Sequence, residues 1–150
     1  MKNEDLNLSH RLNLPATMDS FGQFVAFVQQ TCENLGLDAS LTLKLGLVLE
    51  ELLINVVHYA YEDAGEPGDI EVRCGMAGPE TFCLVIRDRG KPFNPLLAKT
   101  PDLSENVEDR PIGGLGIFLV REIADRLEYH RDDGTNTLVF CKNITPEARG

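Results

Sequence analysis

Leu6, Leu8, His10, Leu12 and Leu14 alternate with polar residues, the period of a strand with one covered face, and Pro15 closes the run. Thr17 is placed to cap a helix in which Phe21, Phe24, Val25, Val28, Cys32 and Leu35 recur at helical spacing, with Gly36 as its stop. A second helix opens near Ser40 and runs to about Ala60. Leu41, Leu45, Leu47, Val48, Leu49, Leu52, Leu53, Ile54, Val56 and Val57 leave it little polar surface, so other elements are expected to cover most of it. A polar stretch follows, Glu62 to Gly68. Ile70, Val72 and Cys74 then alternate, Gly75 to Pro79 turns the chain, and Thr81 to Asp88 returns as the second arm of a hairpin.

From Gly90 to Ile112 the chain carries Pro92, Pro95, Pro101 and Pro111 and shows no periodicity, the mark of a functional loop in a compact domain. Gly113-Gly114-Leu115-Gly116 ends this stretch, and Ile117, Val120, Ile123 and Ala124 mark a third helix. Leu127 with Tyr129, and Leu138 with Phe140, predict a last hairpin around Asp133-Gly134. The element order predicts one α+β domain over residues 1–150, with helices on one face of a mixed β-sheet.

Charge narrows the partners. The net charge of −10 argues against binding nucleic acid, which relies on Lys and Arg to neutralise phosphates. No apolar run reaches the roughly 18 residues of a membrane helix, and the N-terminus lacks a signal-peptide core. A cytoplasmic protein with no membrane partner is expected. Cys32, Cys74, Cys83 and Cys141 form no C-x-x-C pair, and read as buried thiols of a reducing compartment.

Three places put polar or glycine residues where packing alone does not call for them. Glu51 and Asn55 lie four apart on the most apolar helix, and so share one face. A carboxylate can accept a proton there, and an amide oxygen suits a hard cation such as Mg²⁺. A surface stripe with Glu50 would look the same in isolation. Asp88-Arg89-Gly90 delivers a carboxylate at a strand end, able to accept from an exocyclic amine such as that of adenine, beside a glycine that admits a flat ring; a plain turn is the simpler alternative. Gly113-Gly114-Leu115-Gly116 opens a helix with exposed main-chain N–H groups, a phosphate cradle or a hinge. It is neither a P-loop nor G-x-G-x-x-G, since Leu119 stands where the last glycine belongs. His130-Arg131-Asp132 imitates a kinase catalytic loop without its companion motifs and reads as strand and turn.

Taken in order, these signals resemble the GHKL ATPases, which bind nucleotide on the Bergerat fold. Glu50-Glu51-Leu52-Leu53-Ile54-Asn55-Val56-Val57, Asp88-Arg89-Gly90-Lys91-Pro92-Phe93 and Pro111-Ile112-Gly113-Gly114-Leu115-Gly116-Ile117-Phe118-Leu119-Val120 look like the anti-sigma-factor serine kinases of the RsbW and SpoIIAB type. The resemblance implies ATP and Mg²⁺ as ligands. It implies Asn55 as the Mg²⁺ ligand and Glu51 as the base that draws the proton from a partner serine. Asp88 would read the adenine amine, with Gly90 beneath the ring. Gly113, Gly114, Leu115, Gly116 and Ile117 would lie along the phosphates, with Arg110 helping to neutralise them. Lys91 to Ile112 would be the ATP lid.

The implied partners are a STAS-domain anti-sigma antagonist, a sigma factor and a second copy of the chain in a homodimer. The alternative is a nucleotide-gated module that switches partners without phosphotransfer. Tyr59 stands where relatives often carry His, and Gln23 where some have a basic residue for partner contact. Relatives often place a Thr near the nucleotide after the Gly134 turn; Thr135, Asn136 and Thr137 all compete for that place, and none is assigned.

Overall fold

The computed structural model describes residues 8, 10–60, 68–97 and 114–144, the side chains of Gly114 and Leu115 excepted. Strand β1 spans His10–Pro15, helix α1 Phe21–Asn34, helix α2 Ala39–Asn55, strands β2 and β3 Asp69–Met76 and Thr81–Asp88, helix α3 Gly114–Ile123, and strands β4 and β5 Arg126–Asp132 and Thr135–Asn143.

Local chemistry sets the boundaries. Thr17 adopts an extended conformation, yet it caps only a short 3₁₀ turn, Met18–Ser20, and makes no side-chain cap bond. α1 stops where Gly36 takes φ 77°, and Leu37 N–H closes back onto Cys32 O at 3.1 Å. α2 is capped by Asp38, whose Oδ1 accepts from Leu41 N–H at 2.7 Å. Its predicted end at Ala60 holds, but the last five residues, Val56–Ala60, wind as a π-helical turn. Asp133 (φ 51°) and Gly134 (φ 74°) give the β4–β5 hairpin two left-handed residues, as a tight primed turn requires.

The five strands lie in the order β1-β2-β3-β5-β4, and all four pairings are antiparallel. The sheet is therefore not mixed, as the element order suggested. The α3 crossover does return β4 parallel to β3, but β5 inserts between the two and pairs with both. The helices cover one face, as expected. Ile70, Val72, Leu84, Ile86, Leu138 and Phe140 join Phe24, Val28, Leu45, Leu49, Leu52, Ile117 and Val120 in one core. Truncating a fully buried member such as Phe24 or Phe140 to Ala costs roughly 3–5 kcal/mol. α2 is less enclosed than its composition predicted, because Leu43 and Leu47 lie on a solvent-facing stripe at 59% and 45% exposure.

The opposite face of the sheet carries a smaller cluster, Leu8, Cys83, Val85, Val139 and Cys141. Leu8 therefore departs from the alternation of Leu12 and Leu14, which pack against the main core. Cys83 and Cys141 are direct neighbours across β3 and β5 and form a disulfide. This corrects the expectation of four thiols. The partners lie 58 residues apart, and only strand register shows that they face each other. Cys32 and Cys74 remain buried thiols. Among the described residues, no helix is long and apolar enough to cross a membrane.

Candidate functional site

α2 brings Glu51 and Asn55 to the site on one strip of the helix. Asn55 is 3% exposed and donates its amide NH₂ to Glu51 O at 2.7 Å. That bond fixes which end of the carboxamide is the donor and which, Oδ1, is the acceptor. The Glu51 side chain is half-buried and turns toward α3. A Cβ at Gly116 would come within 2.5 Å of Glu51 Cδ, so the carboxyl group fills the space that glycine leaves in the first turn of that helix. Burial pushes the Glu51 carboxyl above its ordinary pKa, and the neighbouring Glu50 charge adds to the rise.

Asp88 ends β3 at 5% exposure. Strand register places it in a row across the sheet, Leu14-Ile70-Asp88-Asn136-Arg131, running from core to charge. Asp88 Oδ1 accepts from Gly90 N–H at 2.9 Å and from Asn136 Nδ2 at 3.0 Å. Burial raises the Asp88 pKa, and outweighs the hydrogen bonds from Asn136 and Gly90 and the Arg131 charge, which all pull it down.

Gly90 and Lys91, the second and third residues after the strand, are held through their main chains. Gly90 N–H donates to Asp88, and Gly90 O accepts from Arg131 Nη1 at 2.7 Å. Lys91 N–H donates to Ala60 O at 2.9 Å, and Lys91 O accepts from Asn136 Nδ2 at 2.9 Å. Gly90 must be glycine here for reasons of space, since a Cβ would stand 2.5 Å from Ala60 O.

Asn55 and Asp88 line a single cleft of about 310 Å³ that includes its open mouth. Leu52, Val56, Ile86 and Leu138 form its apolar wall, and Phe93, Pro95, Tyr129 and Asn136 complete it. An apolar recess with a few convergent polar atoms is the usual form of a small-molecule site. Phe93 stacks on Tyr59 at 4.6 Å between ring centroids and 14° between planes, which ties the start of the expected lid to the π turn.

The structure thus gathers Asn55 and Asp88 at one cleft, ties Gly90 to Asp88 by a hydrogen bond, and sets Glu51 against Gly116. The Ile117 side chain is a core residue at 1% exposure, which leaves only its main chain for a ligand. Gly114, Leu115 and Gly116 form the first turn of α3. Arg110 and Gly113 lie outside the described residues, as does the expected lid beyond Leu97.

The sequence gives no sign of three contributors, Tyr129, Arg131 and Ala60, and leaves a fourth, Asn136, unassigned beside Thr135 and Thr137. Asn136 left a signal, because it shares the face of Leu138 and Phe140 and is polar where that face is apolar. Arg131 was set aside with the kinase-like tripeptide, yet it reaches Gly90 from the end of β4. Ala60 acts through its carbonyl, which leaves no trace in side-chain chemistry.

Residues 14–142 match the model of the histidine kinase-like ATPase domain. The serine/threonine-protein kinase BtrW of Bordetella bronchiseptica is 33% identical over 110 residues, which are 73% of this chain and 76% of that protein. The serine-protein kinase RsbW of Staphylococcus aureus is 27% identical over 105 residues, 67% of this chain and 65% of that one. Among solved structures, the RsbU and RsbW domains of Rv1364c from Mycobacterium tuberculosis superpose with a TM-score of 0.62 at 16% identity, over 92% of this chain and 34% of that one. The mycobacterial sensor histidine kinase MprB gives 0.51 at 16% identity, over 89% and 97%. At such identity the structural likeness concerns the fold, and it agrees with the Bergerat α+β architecture.

Proposed function

The chain belongs to the histidine kinase-like ATPase domain family, and on that premise we propose that it is an ATP-dependent protein-serine kinase that also sequesters a sigma factor. The observation that carries the reading is the meeting of Asn55 and Asp88 at one cleft, with Glu51 one helical turn away against Gly116. Asp88 accepts from the adenine amine, the apolar wall covers the base, and the first turn of α3 receives the phosphates. Arg110 and Gly113 belong to the same phosphate group in this reading.

Glu51 takes the proton of a serine hydroxyl as the serine oxygen bonds to the γ-phosphorus. The bond from that phosphorus to the β,γ-bridging oxygen breaks, and ADP leaves with the bond's electron pair. Burial suits Glu51 to this work by making its carboxylate a stronger base. The donor chemistry fits Mg²⁺, since the amide oxygen of Asn55 is a hard ligand at the wall of the cleft. Mg²⁺ is commonly held in this way, by few protein atoms together with phosphates and waters. When bound, it supplies neutralisation of the phosphate charge.

The substrate serine is assigned to a STAS-domain anti-sigma antagonist, and the sequestered partner to a sigma factor. That BtrW and RsbW are protein kinases acting on serine supports a serine as the acceptor, and the choice of partners rests on the resemblance carried by the Glu51–Asn55, Asp88–Gly90 and Gly113–Gly116 motifs. A cytoplasmic homodimer belongs to the same proposal. The test mixes the protein, MgATP and a cognate STAS-domain protein and follows phosphate on serine. Glu51→Gln is expected to lower transfer roughly 10²–10⁴-fold while MgATP affinity stays within about threefold. Undiminished transfer removes Glu51 as the base. Tight MgATP binding without any transfer by the unaltered protein selects the nucleotide-gated module instead.

A further inference from the structure

Asn136 is 4% exposed, and three hydrogen bonds engage its carboxamide. Nδ2 donates to Asp88 Oδ1 at 3.0 Å and to Lys91 O at 2.9 Å. Oδ1 accepts from the Tyr129 hydroxyl. The orientation of the amide is settled by these partners. The Lys91 carbonyl can only accept, so the NH₂ must face it and Asp88. Tyr129 reaches Asn136 diagonally across the β4–β5 pair, from the row where it faces Leu138.

We propose that Asn136, pinned by Tyr129, is a positioning residue that fixes the plane of the Asp88 carboxylate and makes the cleft select 6-aminopurines over 6-oxopurines. The inference rests on the nucleotide reading above and adds a determinant of base choice to it. Asp88 Oδ1 already holds two donors, Gly90 N–H and Asn136 Nδ2. A carboxylate held by one oxygen at two points cannot turn about its Cβ–Cγ bond, so Oδ2 is the oxygen presented to a base. A fixed acceptor rewards a 6-amino group and repels a 6-oxo group. A carboxylate free to turn can follow the ring N1–H of a 6-oxopurine and relieve that repulsion.

The test measures MgATP and MgITP binding to the full chain by calorimetry. Adenine and hypoxanthine differ at the amine that Asp88 reads and at the adjoining ring proton. The unaltered protein is expected to prefer MgATP by at least about tenfold, as sites built around a buried hydrogen bond do. Asn136→Leu, which keeps the volume and removes both donations, is expected to bring the ratio below about threefold. Tyr129→Phe removes one hydroxyl at a half-buried position, so it keeps the test alive where the first variant does not fold; it is expected to lower the ratio at least about twofold. A folded Tyr129→Phe that weakens both nucleotides equally, or changes neither, overturns the proposal, since a purely structural role has no reason to tell the bases apart. Equal affinity of the unaltered protein for both nucleotides also overturns it while leaving nucleotide binding intact. No heat with either nucleotide removes the underlying reading as well.

Discussion

The Glu51 carboxyl group occupies the space where Gly116 would carry a side chain, so the proposed base and the first turn of α3 are packed as one unit. Gly116→Ala is therefore expected to separate stability from activity. Alanine favours a helix by up to about 1 kcal/mol over glycine, and the Glu51 side chain can swing aside to admit the methyl. Thermal unfolding should be unchanged or raised, while serine phosphorylation falls at least about tenfold through misplacement of the base. Transfer at the unaltered rate would show that the Glu51 position against α3 is immaterial.

Gly90→Ala has no such escape. The methyl would meet the carbonyl carbon of Ala60 at 2.9 Å and its oxygen at 2.5 Å, and both are backbone. Urea unfolding should show a loss of roughly 1–3 kcal/mol. MgATP affinity should fall in the same variant, because relief of the clash drags Lys91 from its bond to Ala60 O.

Asp88→Asn is expected to trade binding for stability. The folded pKa of Asp88 is raised, so the folded chain holds its proton to higher pH than the unfolded chain. The contribution of Asp88 to stability is thus full below the unfolded pKa and is lost as pH rises through the folded pKa. At neutral pH the charged carboxylate weighs against folding. Asparagine removes that charge, and its Oδ1 can still accept from Gly90 and Asn136. Melting temperature should then rise near pH 7 and change little near pH 3. Affinity for MgATP should fall roughly ten- to hundredfold, the worth of a hydrogen bond to a charged acceptor. A melting temperature lowered equally at both pH values would contradict this assignment.

The cysteines separate into two kinds. Thiol titration of the unfolded, unreduced protein should find Cys32 and Cys74 alone, with Cys83 and Cys141 joined. Reduction should cost roughly 2–4 kcal/mol in urea unfolding, the usual range for closing a long loop. In the native state Cys32 and Cys74 should alkylate slowly at pH 8. Burial pushes their pKa values up to about 12 and about 11, with each other's proximity and Glu33 adding to the rise at Cys32. Rapid native alkylation at either position would place it outside the core.

What was legible in the chain was whatever repeats locally. Apolar spacing located all three helices and both hairpins, and the Asp133-Gly134 pair marked its turn. Glu51, Asn55, Asp88 and Gly90 stood out because each breaks a pattern or ends one. What depended on register was hidden. Nothing local tells Cys83 that Cys141 lies opposite, or Asp88 that Asn136 does, because strand pairing is decided by the whole sheet. The antiparallel sheet was missed for the same reason, since the placement of β5 between β3 and β4 is a global choice. The overestimate for α2 has a different cause: composition counts apolar residues, and Leu43 and Leu47 are apolar without being covered.

The four main-chain bonds at Gly90 and Lys91 make that dipeptide a mooring post. Its attachments run to four separate places, the end of β3, the tail of α2, β4 and β5. A pull arriving from Pro92 onward is therefore delivered to Asp88, Ala60, Arg131 and Asn136 together, before it can strain the rest of the sheet. Reciprocally, in the proposed reading a nucleotide that engages Asp88 stiffens the point from which the following chain departs.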